Sequence, residues 1–85
     1  MNAHPPPGWT VVDGALERQF AFANFAEALA FVNRVGAAAE DADHYPDVLM
    51  HGYKLVTVRW RTHSADAITD KDHDLASRCN QLVES

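Results

Sequence analysis

The dipeptide Asp13-Gly14 constrains the fold of this chain more than any other local feature of its sequence. It separates a short apolar run, Trp9 to Val12, from the alternating segment Ala15 to Phe22. Asp-Gly favours a type I′ turn, because glycine readily adopts the positive φ that this turn requires. The sequence therefore predicts a tight hairpin, and with it an antiparallel sheet.

Two predicted helices each begin with residues that cap the first turn. Asn24 is followed three residues later by Glu27, and apolar residues from 25 to about 40 recur at the spacing of one buried stripe. Thr69 and Asp72 repeat the capping pattern, and the apolar residues after them also share one helix face. We expect one long and one shorter amphipathic helix.

Two further strands are predicted between the helices, at Asp47 to His51 and Tyr53 to Thr62. The resulting order β-β-α-β-β-α predicts an α+β fold, with a four-stranded antiparallel sheet and two helices packed on one of its faces. The proline-rich residues 1–8 are expected to form a flexible tail. Residues 9–85 are expected to form a single domain.

The composition restricts the classes of function open to the chain. A domain of 85 residues is marginal alone, and association with other copies is a common remedy. The net charge of -5 argues against nucleic acid and against an anionic membrane as partners. No segment has the length of a membrane span and the first residues do not resemble a secretory signal, so a cytoplasmic location is expected.

No metal site is expected from the sequence. The single cysteine, Cys79, excludes an internal disulfide and a cysteine-based zinc site, and its apolar helical setting predicts a buried structural thiol. Asp70, Asp72 and Asp74 have the spacing of the start of a calcium loop. However, the sixth position of that loop is Leu75, where glycine is needed.

Two histidines at the ends of predicted elements are the strongest candidates for chemistry. His44 precedes the rigid step at Pro46, and His63 directly follows the fourth predicted strand. Histidine can accept and donate protons near neutral pH, which makes the pair suited to acid–base work on a small molecule. For either histidine alone, an ordinary hydrogen-bonded surface role is the alternative, and the spacing does not show whether the two meet.

Tyr45 and Asp72 each allow two interpretations. Tyr45 fits a packing or interface residue, or a hydrogen-bond donor to a ligand; a phenol with a reference pKa of about 10 is a poor base at neutral pH. Asp72 fits a helix-capping residue, or a carboxylate that holds an imidazole in one tautomer as in catalytic triads. Spacing alone favours the capping role.

The order and spacing of these motifs resemble the pterin-4a-carbinolamine dehydratase family. That family has an acidic residue, three spacers and His-His-Pro-Glu/Asp, then a valine-rich strand, Thr-His and Gly-Leu-Thr-x-x-Asp. The chain has, in the same order, Glu40-x-x-x-His44-Tyr45-Pro46-Asp47, Val56-x-Val58, Thr62-His63 and Ala67-Ile68-Thr69-x-x-Asp72. The similarity extends over nearly the whole chain from Gly8 onward.

This resemblance implies an enzyme that removes water from a 4a-hydroxytetrahydropterin to give the quinonoid dihydropterin by general acid–base catalysis. It implies no metal and no cofactor, because the pterin is the substrate, and it implies a homodimer or homotetramer. The catalytic residues that it implies are His44, His63 and Asp72. The substrate-binding residues that it implies are Tyr45, Pro46, Asp47, Thr62, Ser64 and Ala65.

The chain departs from the family pattern at Tyr45, where the family has a second histidine. A tyrosine can hydrogen-bond a pterin but does not readily carry a proton away, and loss of one general acid or base typically costs about 10²–10⁴-fold in rate. A second hypothesis is therefore a non-catalytic binding or assembly module. Such a module would resemble the dimerisation cofactors, or the pterin-dehydratase-like proteins linked to Rubisco assembly in carboxysome-bearing bacteria.

Overall fold

The computed structural model describes residues 4–83. Its elements are β1 (Thr10–Val12), β2 (Ala15–Ala21), α1 (Phe25–Ala42), β3 (Asp47–His51), β4 (Leu55–Trp60) and α2 (Asp70–Leu82). The strands form one antiparallel sheet in the order β1-β2-β4-β3. The predicted α+β fold is confirmed. Neither helix in the described part of the chain is long and apolar enough to cross a membrane.

Tight turns join β1 to β2 and β3 to β4, with a two-residue loop in the first hairpin and a three-residue loop in the second. Asp13 and Gly14 have φ values of 49° and 78°, as the predicted type I′ turn requires. Gly52 and Tyr53 also have positive φ, 54° and 51°, so Tyr53 lies in the turn and β4 begins two residues later than predicted. Positive φ is unfavourable for a bulky side chain, so Tyr53 is a strained turn residue.

The core lies where the inward side chains of the strands meet the apolar stripes of the helices. Its largest buried side chains are Trp9, Leu16, Phe20, Phe31, Val35, Val56, Val58, Trp60, Leu75 and Cys79. Burying a large apolar side chain contributes roughly 1.5–3 kcal/mol relative to leaving it exposed. This packing holds the end of β4 against the start of α2, which is where the candidate site lies.

Cys79 is buried, and burial raises the pKa of its thiol to about 11. A thiol with so high a pKa is a poor nucleophile at neutral pH, because little thiolate is present. The structure thus agrees with the structural role predicted for this cysteine.

Asn80 on α2 connects the start of the chain to the domain. Its side-chain oxygen accepts hydrogen bonds from Trp9 Nε1 (2.8 Å) and from the Arg18 guanidinium. Its amide nitrogen donates to the carbonyl of Pro7 (2.9 Å). Residues 1–3 of the predicted flexible tail lie outside the described residues, and the described end of that segment is in contact with α2.

Candidate active site

The end of α1 fixes the backbone at His44. Asp43 is in the left-handed conformation (φ 52°), and its N–H donates to the carbonyls of Ala39 and Glu40. The N–H of His44 also donates to the Ala39 carbonyl (3.1 Å). These bonds satisfy carbonyls at the helix end and turn the chain out of α1. Pro46 then keeps the chain from re-entering a helix.

Asp72 is a fully buried carboxylate that accepts hydrogen bonds from three residues. Its Oδ1 lies 2.7 Å from Nε2 of His44. Its Oδ2 accepts from the hydroxyl of Thr62 (2.7 Å) and from the backbone N–H of Thr69 (2.9 Å). Because an ionised carboxylate only accepts, neutral His44 carries its hydrogen on Nε2, and Nδ1 becomes the lone-pair nitrogen.

Asp72 therefore makes the contacts that both interpretations require. The bond from the Thr69 N–H belongs to the predicted capping box of α2. The bond to His44 is the orienting contact that spacing alone did not favour. The two uses are compatible because they engage different carboxylate oxygens.

Trp60 holds the imidazole of His44 from one face. The two rings are stacked, with centroids 5.9 Å apart and planes 8° from parallel. Trp60 is itself fully buried, and only 10 % of the His44 side chain is exposed. His44 is thus held both by a hydrogen bond along one edge and by an aromatic face.

His63 is presented by a short turn after β4. The backbones of Thr62 and Ala67 exchange two hydrogen bonds, of 2.9 and 3.3 Å, across this turn. An ion pair between Arg61 and Asp66 spans the same turn. The His63 side chain is exposed, and within residues 4–83 its ring has no hydrogen-bond partner, which leaves both ring nitrogens accessible to a ligand.

His44 and His63 both line one cleft of about 310 Å³, which lies at the lower end of the usual range for small-molecule sites. The cleft is lined by Asp43, His44, Tyr45, Pro46, Asp47, Thr62, His63 and Ser64. Of the residues predicted for the site, Ala65 is absent from this lining. Asp72 does not line the cleft either, but it accepts hydrogen bonds from the lining residues His44 and Thr62. Asp43 is a lining residue that the sequence reasoning missed, although it ends the acidic run directly before His44.

A larger cavity of about 540 Å³ lies between Pro5–Pro7 and α2. It shares no lining residue with the cleft. His73 is the one histidine in its lining, whereas the cleft is lined by two histidines. Within residues 4–83, no group of three or more histidine, cysteine or acidic side chains is arranged to hold a metal ion. The cleft is therefore the better candidate for acid–base chemistry.

Tyr45 is half exposed at the cleft, close to acidic side chains. The negative charge of Glu40, followed by desolvation and the charge of Asp43, raises the pKa of its phenol above the usual value of 10.0. Tyr45 therefore stays protonated at neutral pH. It can donate a hydrogen bond to a ligand but cannot act as a base there.

Comparison with known proteins points to one family. The family model described as pterin 4 alpha carbinolamine dehydratase matches residues 1–82. A protein of Picosynechococcus sp., named provisionally as a pterin-4-alpha-carbinolamine dehydratase, is 47% identical over 89% of this chain and 82% of its own length. A protein of Thermomicrobium roseum with the same provisional name is 45% identical over 91% and 82%.

Solved structures also have folds similar to that of this chain. The crystal structure of a transcriptional coactivator/pterin dehydratase from Brucella melitensis has a TM-score of 0.85 and 33% identity, over 91% of this chain and 83% of its own. A pterin dehydratase-like protein described as a RuBisCO assembly factor in the alpha-carboxysome has a TM-score of 0.74 over 98% and 94%. At 20% identity, the second comparison supports the fold alone.

Proposed function

Because the chain belongs to the pterin 4 alpha carbinolamine dehydratase family, we propose that it dehydrates a 4a-hydroxytetrahydropterin to the quinonoid dihydropterin. One observation carries this proposal. His44 and His63 come from separate segments of the chain but line the same cleft, and His44 is hydrogen-bonded to Asp72. Two imidazoles on one cleft supply the two proton transfers that a dehydration needs.

The surroundings of the two histidines support different roles for them. His44 acts as the base: its Nδ1 takes a proton from a ring nitrogen of the pterin, and Asp72 stabilises the resulting imidazolium. His63 acts as the acid, because its exposed ring can be reprotonated from solvent. It gives a proton to the 4a-hydroxyl as the carbon–oxygen bond breaks, so one water leaves and the total number of protons is conserved.

The remaining lining residues other than Thr62 bind the substrate in this proposal. Tyr45 donates a hydrogen bond from its neutral phenol, and Pro46 supplies an apolar wall. Asp43 and Asp47 offer carboxylates to the N–H groups of the pterin ring, and Ser64 offers a hydroxyl.

A dehydration assay tests the proposal directly. Stopped-flow absorbance should show that the purified protein accelerates loss of water from a 4a-hydroxytetrahydropterin, and that His63→Ala loses about 10²–10⁴-fold of that acceleration. His73→Ala is the matched control, because His73 lies on α2 outside the cleft. Equal rates for the wild type and His63→Ala would contradict the assigned role.

We also propose that the chain associates with a second copy of itself through β3. This strand is at the end of the sheet, so its outer edge has no strand partner among residues 4–83, and Leu49 is 60% exposed there. In an antiparallel pairing centred on Leu49, Asp47 of each copy faces His51 of the other. Opposite charges or hydrogen-bonding groups directly across two strands stabilise such a pairing.

The same edge favours a second candidate function, a non-catalytic assembly module. An exposed strand edge can pair with a different protein as readily as with a second copy. Affinity capture from the source organism, run beside the dehydration assay, separates the candidates. A stoichiometric protein partner without turnover would support the module, and turnover without such a partner would support the enzyme.

A further inference from the structure

We propose that Thr62 and Thr69 are positioning residues that fix the tautomer of His44 through Asp72. The relevance of this arrangement to catalysis rests on the proposed function. Thr62 lies at the end of β4 and Thr69 caps α2, so the two hydroxyls come from elements on either side of the His63 turn. They meet beside a carboxylate that is completely buried.

Counting hydrogens fixes the direction of the hydrogen bonds. The Thr62 hydroxyl lies 2.7 Å from Asp72 Oδ2 and 2.7 Å from the Thr69 hydroxyl. Each hydroxyl has one hydrogen, and the carboxylate has none. Thr62 must donate to Asp72, because two bare oxygens would otherwise face each other at 2.7 Å. Thr62 then accepts from Thr69, whose own distance to Asp72 Oδ2 is a longer 3.5 Å.

This arrangement reserves the other carboxylate oxygen for His44. Oδ2 is occupied by the Thr62 hydroxyl and by the backbone N–H of Thr69. Oδ1 is therefore held facing Nε2 of His44, at 2.7 Å. Without the hydroxyls, Oδ2 would keep only the backbone donor, and the carboxylate could rotate away from Nε2 of His44, which would release the tautomer.

Thr62 also connects the two imidazoles. It directly precedes His63, and its backbone closes the His63 turn through two hydrogen bonds with Ala67. One carboxylate thus holds His44 directly and anchors the start of the His63 turn through Thr62. This assigns the Thr62 hydroxyl to positioning, since its one hydrogen is already used within the protein.

Nitrogen-15 NMR of the histidine rings in the ligand-free protein tests the tautomer without any substrate. Neutral His44 should be in the Nε2–H form in the wild type. Thr62→Val, which removes the hydroxyl at almost constant volume, should give a mixture of both tautomers, and Thr62→Ser should restore the wild-type spectrum. Thr69→Val and Thr69→Ser form an independent pair, with a smaller effect expected because Thr69 acts through Thr62.

Kinetics distinguish positioning from substrate contact. Misplacing a reacting group by about 1 Å can cost about 10²-fold in rate, so we expect Thr62→Val to lower kcat by up to about that factor with KM unchanged. A rise in KM alone would instead make Thr62 a substrate contact and overturn the inference.

An unchanged His44 tautomer in both valine variants would also overturn the inference, even if the protein is an active dehydratase. A tautomer response without any turnover would uphold the role of the threonines and count against the proposed function alone.

Discussion

The imidazole of His44 lies parallel to the indole of Trp60, with 8° between the ring planes. Because Trp60 is part of the buried core, this contact packs a candidate catalytic group against the closely packed interior of the domain. The hydrogen bond to Asp72 fixes one edge of the same imidazole. The position of His44 is therefore determined by the packing of β4 and by the start of α2 together.

Replacing Trp60 should impair both stability and turnover. Trp60→Leu removes the stacked ring and leaves space in the core, so urea unfolding should show a loss of roughly 1–3 kcal/mol, accompanied by a lower kcat. Phe31→Leu is the matched control, since Phe31 is equally buried but packs against Phe20 and Phe22. Phe31→Leu should lose stability while keeping kcat. An equal fall in kcat for both variants would mean that lost core packing, and not the stacking contact, lowers kcat.

Tyr45→His restores the paired histidines of the family pattern. If the tyrosine limits proton transfer, kcat should rise, by up to about 10²-fold if the new imidazole acts as a further acid or base. Tyr45→Phe is the control, because it removes only the hydroxyl. Unchanged kcat in Tyr45→His, with a raised KM in Tyr45→Phe, would mean that this position binds substrate without taking part in proton transfer.

Stability should fall at alkaline pH because of Cys79. Its thiol pKa is raised from 9.0 to about 11 in the folded protein. The folded state therefore keeps this proton when the unfolded chain has already lost it, so the stabilisation is complete below pH 9 and disappears as the pH rises towards 11. Urea midpoints measured from neutral pH upward should fall more steeply for the wild type than for Cys79→Ala. If the urea midpoints of the two proteins fell in parallel with pH, the thiol would not be buried in solution.

Self-association should depend on the β3 edge. Leu49→Lys places two ammonium groups opposite each other at the centre of the proposed pairing, so light scattering should show a monomer. Val11→Lys is a matched control, because Val11 is similarly exposed, at 59%, on the opposite edge strand β1. Association that survives Leu49→Lys but is lost in Val11→Lys would place the interface at β1.

The register of the β3 pairing can be tested separately. Asp47→Lys should weaken association, because the lysine would face His51 of the second copy, and adding His51→Asp should restore it. No restoration would exclude a pairing centred on Leu49.

Most of the fold was predictable because its signals are local. The type I′ turn at Asp13-Gly14 and the capping residues Asn24 and Thr69 act within a few residues, and the structure has each element that they predicted. The strained turn at Tyr53 was not predictable, since nothing in its side chain favours positive φ. It forms because the pairing of β3 with β4 fixes the ends of the turn.

The site was predictable in its parts but not in its assembly. Residue type and position identified His44 and His63, but their common cleft depends on β4 lying beside β3 and on where each segment leaves the sheet. The double use of Asp72 depends on which oxygen faces which donor, and spacing cannot show that. The sequence pattern also could not show that Ala65 lies outside the lining of the cleft.

The double use of Asp72 also affects how relatives of this protein can diverge. A lineage that does not need the proposed reaction can exchange an exposed cleft residue such as Tyr45 or His63 at little cost to its fold. It cannot easily replace Asp72, because the Thr62 hydroxyl and the Thr69 N–H at the start of α2 would lose their acceptor together. The aspartate should therefore persist in descendants that have lost activity, and the exposed residues of the cleft are the better indicators of whether a given relative is still an enzyme.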